Sequence, residues 1–267
     1  MAQEKPRVRV EVADRIAIVT IDRPEARNAI DKQTTRELRA ALDDLIDRDD
    51  ALVLILTGGG DKAFVSGADI AELKARKRED ALRGINAALF RQLEDFPRPT
   101  IAAIRGFALG GGCEIAMACD LRVCGESAKL GQPEAGLGIL AAAGGTYRLP
   151  RLVGIARAKE LLFTGAVIDA KEALAIGLVN RVVPDANVLA EAKTLAGKIL
   201  EQSPLAVRLA KLAVNAWAKG GMDAWRTVED LSQAVLFEDA EKERRMTAFL
   251  ERKGNGPPSP AGRKGTK

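Results

Sequence analysis

Val8, Val10 and Val12 alternate with polar residues, and a second β-rich run occupies residues 16–21. The two runs predict a hairpin joined near Ala13-Asp14. Leu38, Ala41, Leu42, Leu45 and Ile46 fall at helical spacing behind Asp31, a residue able to cap the helix they define. Residues 52–56 form a continuous apolar run ended by Thr57-Gly58-Gly59-Gly60, the mark of a buried strand and its turn. The alternation then continues, with helices over 70–77 and 85–96, a strand over 101–104, a helix over 113–118 and a strand over 121–123. Helices over 157–163 and 170–176, the second closed by Gly177, lead into a strand over 178–183. Strands separated by helices predict an α/β body whose crossovers stack successive turns.

From about residue 186 the period is helical almost without a break, through Ser203-Pro204 and Lys219-Gly220-Gly221 to Lys253. An all-helical end on an α/β body often packs on a partner subunit. The expected organisation is a core over 1–190, a helical region over 191–253 and a tail over 254–267. Pro257, Pro258 and Pro260 lie among glycines in that tail, the composition of a disordered segment.

Composition narrows the chemistry. The chain has 267 residues, 47% of them hydrophobic, enough for a sizeable core, and no histidine. That excludes Ser-His-Asp and Cys-His nucleophile pairs, a histidine base and His-rich zinc sites. Acid–base work near neutral pH falls to carboxylates, lysine, tyrosine or cysteine in environments that retune them. The formal charge is +4, and the tail supplies Arg263, Lys264 and Lys267 with no acid, so the rest stands at +1. A nearly neutral body gives no basic footprint for nucleic acid. Cys113, Cys119 and Cys124 match no zinc ribbon or C-x-x-C motif and fit reduced thiols. No signal-peptide core and no apolar run of roughly 18 residues is present, so the expectation is a cytoplasmic protein without a membrane span.

Three segments carry candidate chemistry. In 100–120 a strand runs into Gly110-Gly111-Gly112 and then an almost wholly apolar helix. Glycines at a helix start let N–H groups approach a ligand, and the dipole there suits an anion or developing oxyanion. A tight strand–helix turn would use the same residues. Glu114 lies in that helix's first turn, where burial is costly for a carboxylate unless it is paired, protonated or used. Complementing the helix dipole is the other reading of this residue. Glu134, in Gly131-Gln-Pro-Glu134, is either a helix start or a second carboxylate facing the same cleft. In 61–72, Asp69 and Glu72 have capping-box spacing, which leaves the Ala68 N–H ahead of the cap. A plain glycine-containing loop is the alternative. Facing Gly111, that N–H would complete an oxyanion hole.

Together these segments resemble the crotonase (enoyl-CoA hydratase/isomerase) superfamily. The match runs through Asp22-Arg-Pro-Glu-Ala-Arg-Asn-Ala-Ile30, Ala63-Phe-Val-Ser-Gly-Ala-Asp69, Ala108-Leu-Gly-Gly-Gly-Cys-Glu114, Gly131-Gln-Pro-Glu134, Gly144-Gly-Thr-Tyr-Arg-Leu149 and residues 164–179. The resemblance implies a ββα spiral with a C-terminal helical trimerisation region, assembled as a homotrimer or a dimer of trimers. It implies an acyl-CoA substrate with no separate cofactor, since coenzyme A is part of the substrate, and no metal. The thioester carbonyl would lie between the N–H groups of Ala68 and Gly111, and Glu114 and Glu134 would hydrate a 2-enoyl-CoA. Ala26, Arg27, Ala29, Lys62, Asp69, Ile70 and, from a neighbouring subunit, Phe249 would touch the substrate. The chain departs from the family at Ala141-Ala142, where relatives read Pro-Gly, and an Ala142 N–H keeps the capacity to donate there. It departs again at Arg244-Arg245-Met246. An enoyl-CoA isomerase, which needs one carboxylate, and a non-catalytic RNA- or protein-binding homologue are the competing readings.

Overall fold

The computed structural model describes residues 5–254. The chain opens with β1 (Val8–Ala13), β2 (Ile16–Ile21) and α1 (Lys32–Ile46). Three turns of similar plan follow. The first has β3 (Val53–Gly58), β4 (Ala63–Val65), α2 (Ile70–Ala75), α3 (Arg78–Arg83) and α4 (Ile85–Glu94); the second has β5 (Thr100–Ile104), β6 (Phe107–Leu109) and α5 (Gly111–Ala118). The third has β7 (Leu121–Gly125), β8 (Lys129–Gly131), α6 (Gly145–Val153) and α7 (Ile155–Thr164). It is closed by β9 (Val167–Asp169), α8 (Ala170–Ala175), β10 (Arg181–Val183) and α9 (Val188–Leu200). Helices α10 (Pro204–Phe237) and α11 (Ala240–Gly254) complete the described chain.

Each ββα turn sends its first strand to a six-stranded sheet, ordered β1-β2-β3-β5-β7-β10, and its second to a four-stranded sheet, ordered β4-β6-β8-β9. The hairpin forms as expected, but its two-residue link is Asp14-Arg15, both at positive φ. That turn type follows the right-handed twist of the strands it joins. From β2 onward the large sheet is parallel. Its apolar runs are two-sided. Val53, Ile55, Ile101, Ala103 and Val123 face α9, which lays Val188, Ala192 and Ala196 on them. Leu54, Leu56, Ala102, Ile104 and Cys124 join the larger core with residues of α1, α4 and α5. Both faces are buried, so both must be apolar, and the sequence reads as an unbroken hydrophobic run.

Asp31 caps α1 as expected, accepting the Thr34 N–H at 2.8 Å. Strands β4, β6, β8 and β9 and helices α3 and α6 have no counterpart in the sequence reading; the strands are three residues long, below the reach of an alternation pattern. The first compact unit runs to Lys211 and includes α9, which supplies one side of the sheet's core. Within that unit Lys211 donates to Asp120 Oδ2 at 2.7 Å and to the Arg98 carbonyl at 3.0 Å.

The second unit begins at Leu212. Helix α10 continues unbroken past Gly220-Gly221, and α11 is laced by Arg244 and Arg245 pairing with Glu241. Trp217, Leu231, Val235, Phe237, Phe249 and Leu250 are all more than half exposed. The tail expected over 254–267 lies, apart from Gly254, outside the described residues. Among the described residues no helix is long and apolar enough to cross a membrane.

Candidate active site

Helix α5 is the centre of the site, and the chain holds it at both ends. At its C-terminus the buried Arg122 donates Nη1 to the Cys119 carbonyl at 2.7 Å and Nε to the Leu178 carbonyl at 2.7 Å. At its N-terminus Gly112 packs so closely on β4 that a Cβ there would overlap the Val65 carbonyl. Only glycine permits that approach. The same packing brings Gly111 beside the loop after β4, so that a Cβ at Gly111 would sit 3.5 Å from the Ala68 nitrogen.

A single parallel bridge orients the Ala68 N–H. Ile30 N–H donates to Gly67 O at 2.8 Å, and Asp69 N–H donates to Ile30 O at 2.9 Å. These bonds use the residues on either side of Ala68 and leave its own N–H directed away from Ile30. Gly111 is the first residue of α5, and its N–H has no helical acceptor. Two free donors therefore lie side by side at a helix N-terminus, an arrangement suited to an oxyanion.

The two carboxylates flank the same helix start. Glu114 is 3% exposed, and its Oε1 accepts the Gly145 N–H at 2.8 Å. Burial pushes its carboxyl up to about 7; the charge of Glu134 adds to the rise, while the Gly145 and Ala143 N–H groups and Arg148 oppose it. Glu134 is half-buried in the 3-10 turn Pro133–Leu137, and its Oε1 would lie 3.0 Å from a Cβ at Gly110. Burial raises its carboxyl as well. With its amide nitrogen turned toward Glu134, the buried Gln132 donates to both carboxylate oxygens at 3.0 Å. Burial therefore favours the protonated form of both acids.

The remaining sequence candidates divide. Ala26, Arg27 and Ala29 lie in the loop before Ile30, where the Arg27 carbonyl accepts the Ser66 N–H at 3.1 Å. Lys62 is exposed beside β4, and Ile70 is 60% exposed at the start of α2. Asp69 caps α2 through the Ala71 and Glu72 N–H groups and pairs with Arg23 at 3.1 Å. These contacts, first among them the Glu72 N–H, hold its carboxyl below the usual range. The capping box is not reciprocal: the Asp69 N–H is taken by Ile30, and Glu72 accepts from Lys32 N–H at 3.0 Å. Phe249 lies on α11 in the second unit. The Ala142 N–H donates to Leu140 O at 2.8 Å and does not turn toward Glu114, which takes Gly145 instead.

Asn28 was not singled out from the sequence. It is fully buried at φ 57° and donates to Gly59 O at 2.8 Å and Ala63 O at 2.7 Å, tying the 24–30 loop to both ends of the β3–β4 connection. Gln132, Gly145 and Arg148 were also missed as site residues. The three cysteines are buried, with thiols pushed up to about 12 by that burial, and take no nucleophilic part.

Residues 11–256 match the family model described as enoyl-CoA hydratase/isomerase. The chain belongs to this family. It is 45% identical over 246 residues to the crotonyl-CoA hydratase of Syntrophomonas wolfei, covering 91% of this chain and 95% of that protein. It is 44% identical to the short-chain-enoyl-CoA hydratase of Clostridium acetobutylicum, covering 91% and 94%. The crystal structure of an enoyl-CoA hydratase from Bacillus anthracis superposes with a TM-score of 0.88 at 36% identity, covering 92% of this chain and 96% of that one. The family's α/β fold with C-terminal helices is the fold expected from the sequence.

Proposed function

We propose that this chain, an enoyl-CoA hydratase, adds water across the C2–C3 double bond of a short 2-enoyl-CoA by a two-glutamate mechanism. Glu114 takes a proton from water as the water oxygen bonds to C3. The π electrons move toward the thioester, whose oxygen becomes an enolate oxyanion held by the N–H groups of Ala68 and Gly111. Glu134 gives its proton to C2, and the carbonyl reforms. Each oxyanion donor can be worth about 3–4 kcal/mol of barrier. The observation that carries the reading is the convergence of two buried or half-buried carboxyls and two free N–H groups on the start of α5.

Hydration needs Glu114 ionised and Glu134 protonated, and burial raises both carboxyls. Substrate covers the half-exposed Glu134 and strips its water, which raises it, whereas Glu114 has little water left to lose. The acyl-CoA contacts of Ala26, Arg27, Ala29, Lys62, Asp69, Ile70 and a neighbouring Phe249 belong to the same proposal. So does assembly as a trimer or dimer of trimers, with no cofactor beyond the substrate's own coenzyme A.

Loss of the conjugated-thioester absorbance of crotonyl-CoA tests the mechanism. Glu114→Gln and Glu134→Gln are each expected to lower kcat by about three orders of magnitude or more, with KM little changed. Near-normal turnover in either variant overturns the two-glutamate assignment. A one-carboxylate isomerase would keep its activity in one of the two.

A further inference from the structure

We propose that Arg148, paired with Glu94, is a positioning residue that sets both the placement and the charge of Glu114. The Arg148 side chain is 3% exposed. Its Nη1 donates to the Ala143 carbonyl at 2.9 Å, and its Nη2 donates to Glu94 Oε2 at 3.0 Å. Tyr147 donates its hydroxyl to the same Glu94 oxygen at 3.1 Å, and its ring lies 4.6 Å from the Arg148 guanidinium carbon. The backbone from Ala143 to Gly145 wraps around that guanidinium. At Gly144, φ is +120° and a Cβ would overlap Nη1, so the wrap excludes any side chain. One residue further on, Gly145 gives its N–H to Glu114. Arg148 therefore holds the carbonyl two residues before the donor that aims the carboxylate.

The guanidinium also acts through space. It opposes the rise that burial imposes on Glu114. The charged groups that act on Glu114 are Glu134 from the 3-10 turn and Arg148 from α6; Glu94 of α4 and Tyr147 of α6 contact Arg148, and Arg122 of β7 faces Cys113, the neighbour of Glu114 on α5. Strands β4 and β6 bring none. Arg151 lies over the Tyr147 ring, 5.0 Å from its centre, and Arg157 of α7 pairs with Glu160 and Glu172. Arg148 is thus the one cation of α6 that reaches Glu114, and Glu94 is its counterion.

The proposal rests on the two-glutamate reading and deepens it. Its readout is the pH dependence of kcat for crotonyl-CoA, because a merely structural residue lowers the bell of the profile without moving it. In Arg148→Gln the lost charge leaves Glu114 harder to ionise. The acid limb of the bell is expected to move up by about one pH unit, with kcat at neutral pH down by about 10- to 100-fold and KM within about twofold. Glu94→Gln removes a negative charge and leaves that of Arg148 uncompensated, so the limb moves the other way. Arg148→Lys keeps the charge and loses the fork, leaving the bell in place at reduced height.

Thermal unfolding of each variant separates these effects from loss of fold, and Glu94→Gln and Arg148→Lys carry the test if Arg148→Gln does not fold. Bells that stay at the wild-type pH in all folded variants overturn the proposal, as does a shift of the same sign in Glu94→Gln and Arg148→Gln. Glu114→Gln run alongside distinguishes the failures. If it is inactive while no bell moves, only the role of Arg148 falls; if it is fully active, the reading of the site falls with it.

Discussion

In the six-stranded sheet every strand but β10 has five or six residues, and β3 and β5 are buried along their whole length. In the four-stranded sheet every strand has three. The large sheet is held by apolar side chains that interlock on both faces, so many residues share the work. The small sheet has too little side-chain area for that. It depends on close backbone approach at Gly112 and on buried amides, Asn28 and Gln132, that bind backbone carbonyls or a carboxylate. The proposed chemistry lies with the small sheet, since free N–H groups and a half-buried carboxyl are incompatible with a saturated, two-sided sheet.

Substitutions should break the two regions differently. Gly112→Ala faces a backbone carbonyl that cannot yield, and we expect about 4 kcal/mol of destabilisation or failure to fold, read from denaturant midpoints. A variant as stable as wild type would show that β4 and α5 can separate. Asn28→Ala leaves the Gly59 and Ala63 carbonyls buried without donors and is expected to cost about 3 kcal/mol, with hydration falling as the Ile30–Ala68 bridge loosens. Unchanged activity in folded Asn28→Ala would dissociate the loop from the site.

The third expectation concerns ionisation. The folded-state carboxyl of Glu114 lies near 7, above its unfolded value, so between these two values the folded chain binds more protons. Stability should then decline as pH rises from about 4.5 to 7 and level off above that. Glu114→Gln removes the buried charge and is expected to stabilise the protein by about 2 kcal/mol at pH 8, the gain shrinking by pH 5, while abolishing hydration. A gain independent of pH would assign the effect to packing. Smallest of all, Ile55→Val in the large sheet should cost about 1 kcal/mol and leave the hydration rate unchanged.

The same contrast governs what could be read before the fold was known. Periodicity and capping residues sufficed for the hairpin, α1 behind Asp31, β3, β5 and α8 before Gly177, because each rests on local burial or a local hydrogen bond. The family motifs led to Glu114, Glu134, Ala68 and Gly111, which the fold gathers at one helix start. They did not disclose that the Ala142 N–H is spent on Leu140, nor that Glu72 turns to Lys32 in place of Asp69. Those choices depend on which donors and acceptors the folded loops bring within reach.

The sequence by itself determined the α/β class, the helical end and the absence of histidine chemistry, since these follow from residue type and short-range spacing. Tertiary structure alone decided the second sheet, the reach of the body to Lys211 and the buried ties of Asn28, Gln132 and Arg148. The physical reason is range. A three-residue strand, a glycine pressed on a distant carbonyl and a guanidinium paired with Glu94 gain their free energy from partners tens of residues away, and leave no periodic trace in the chain.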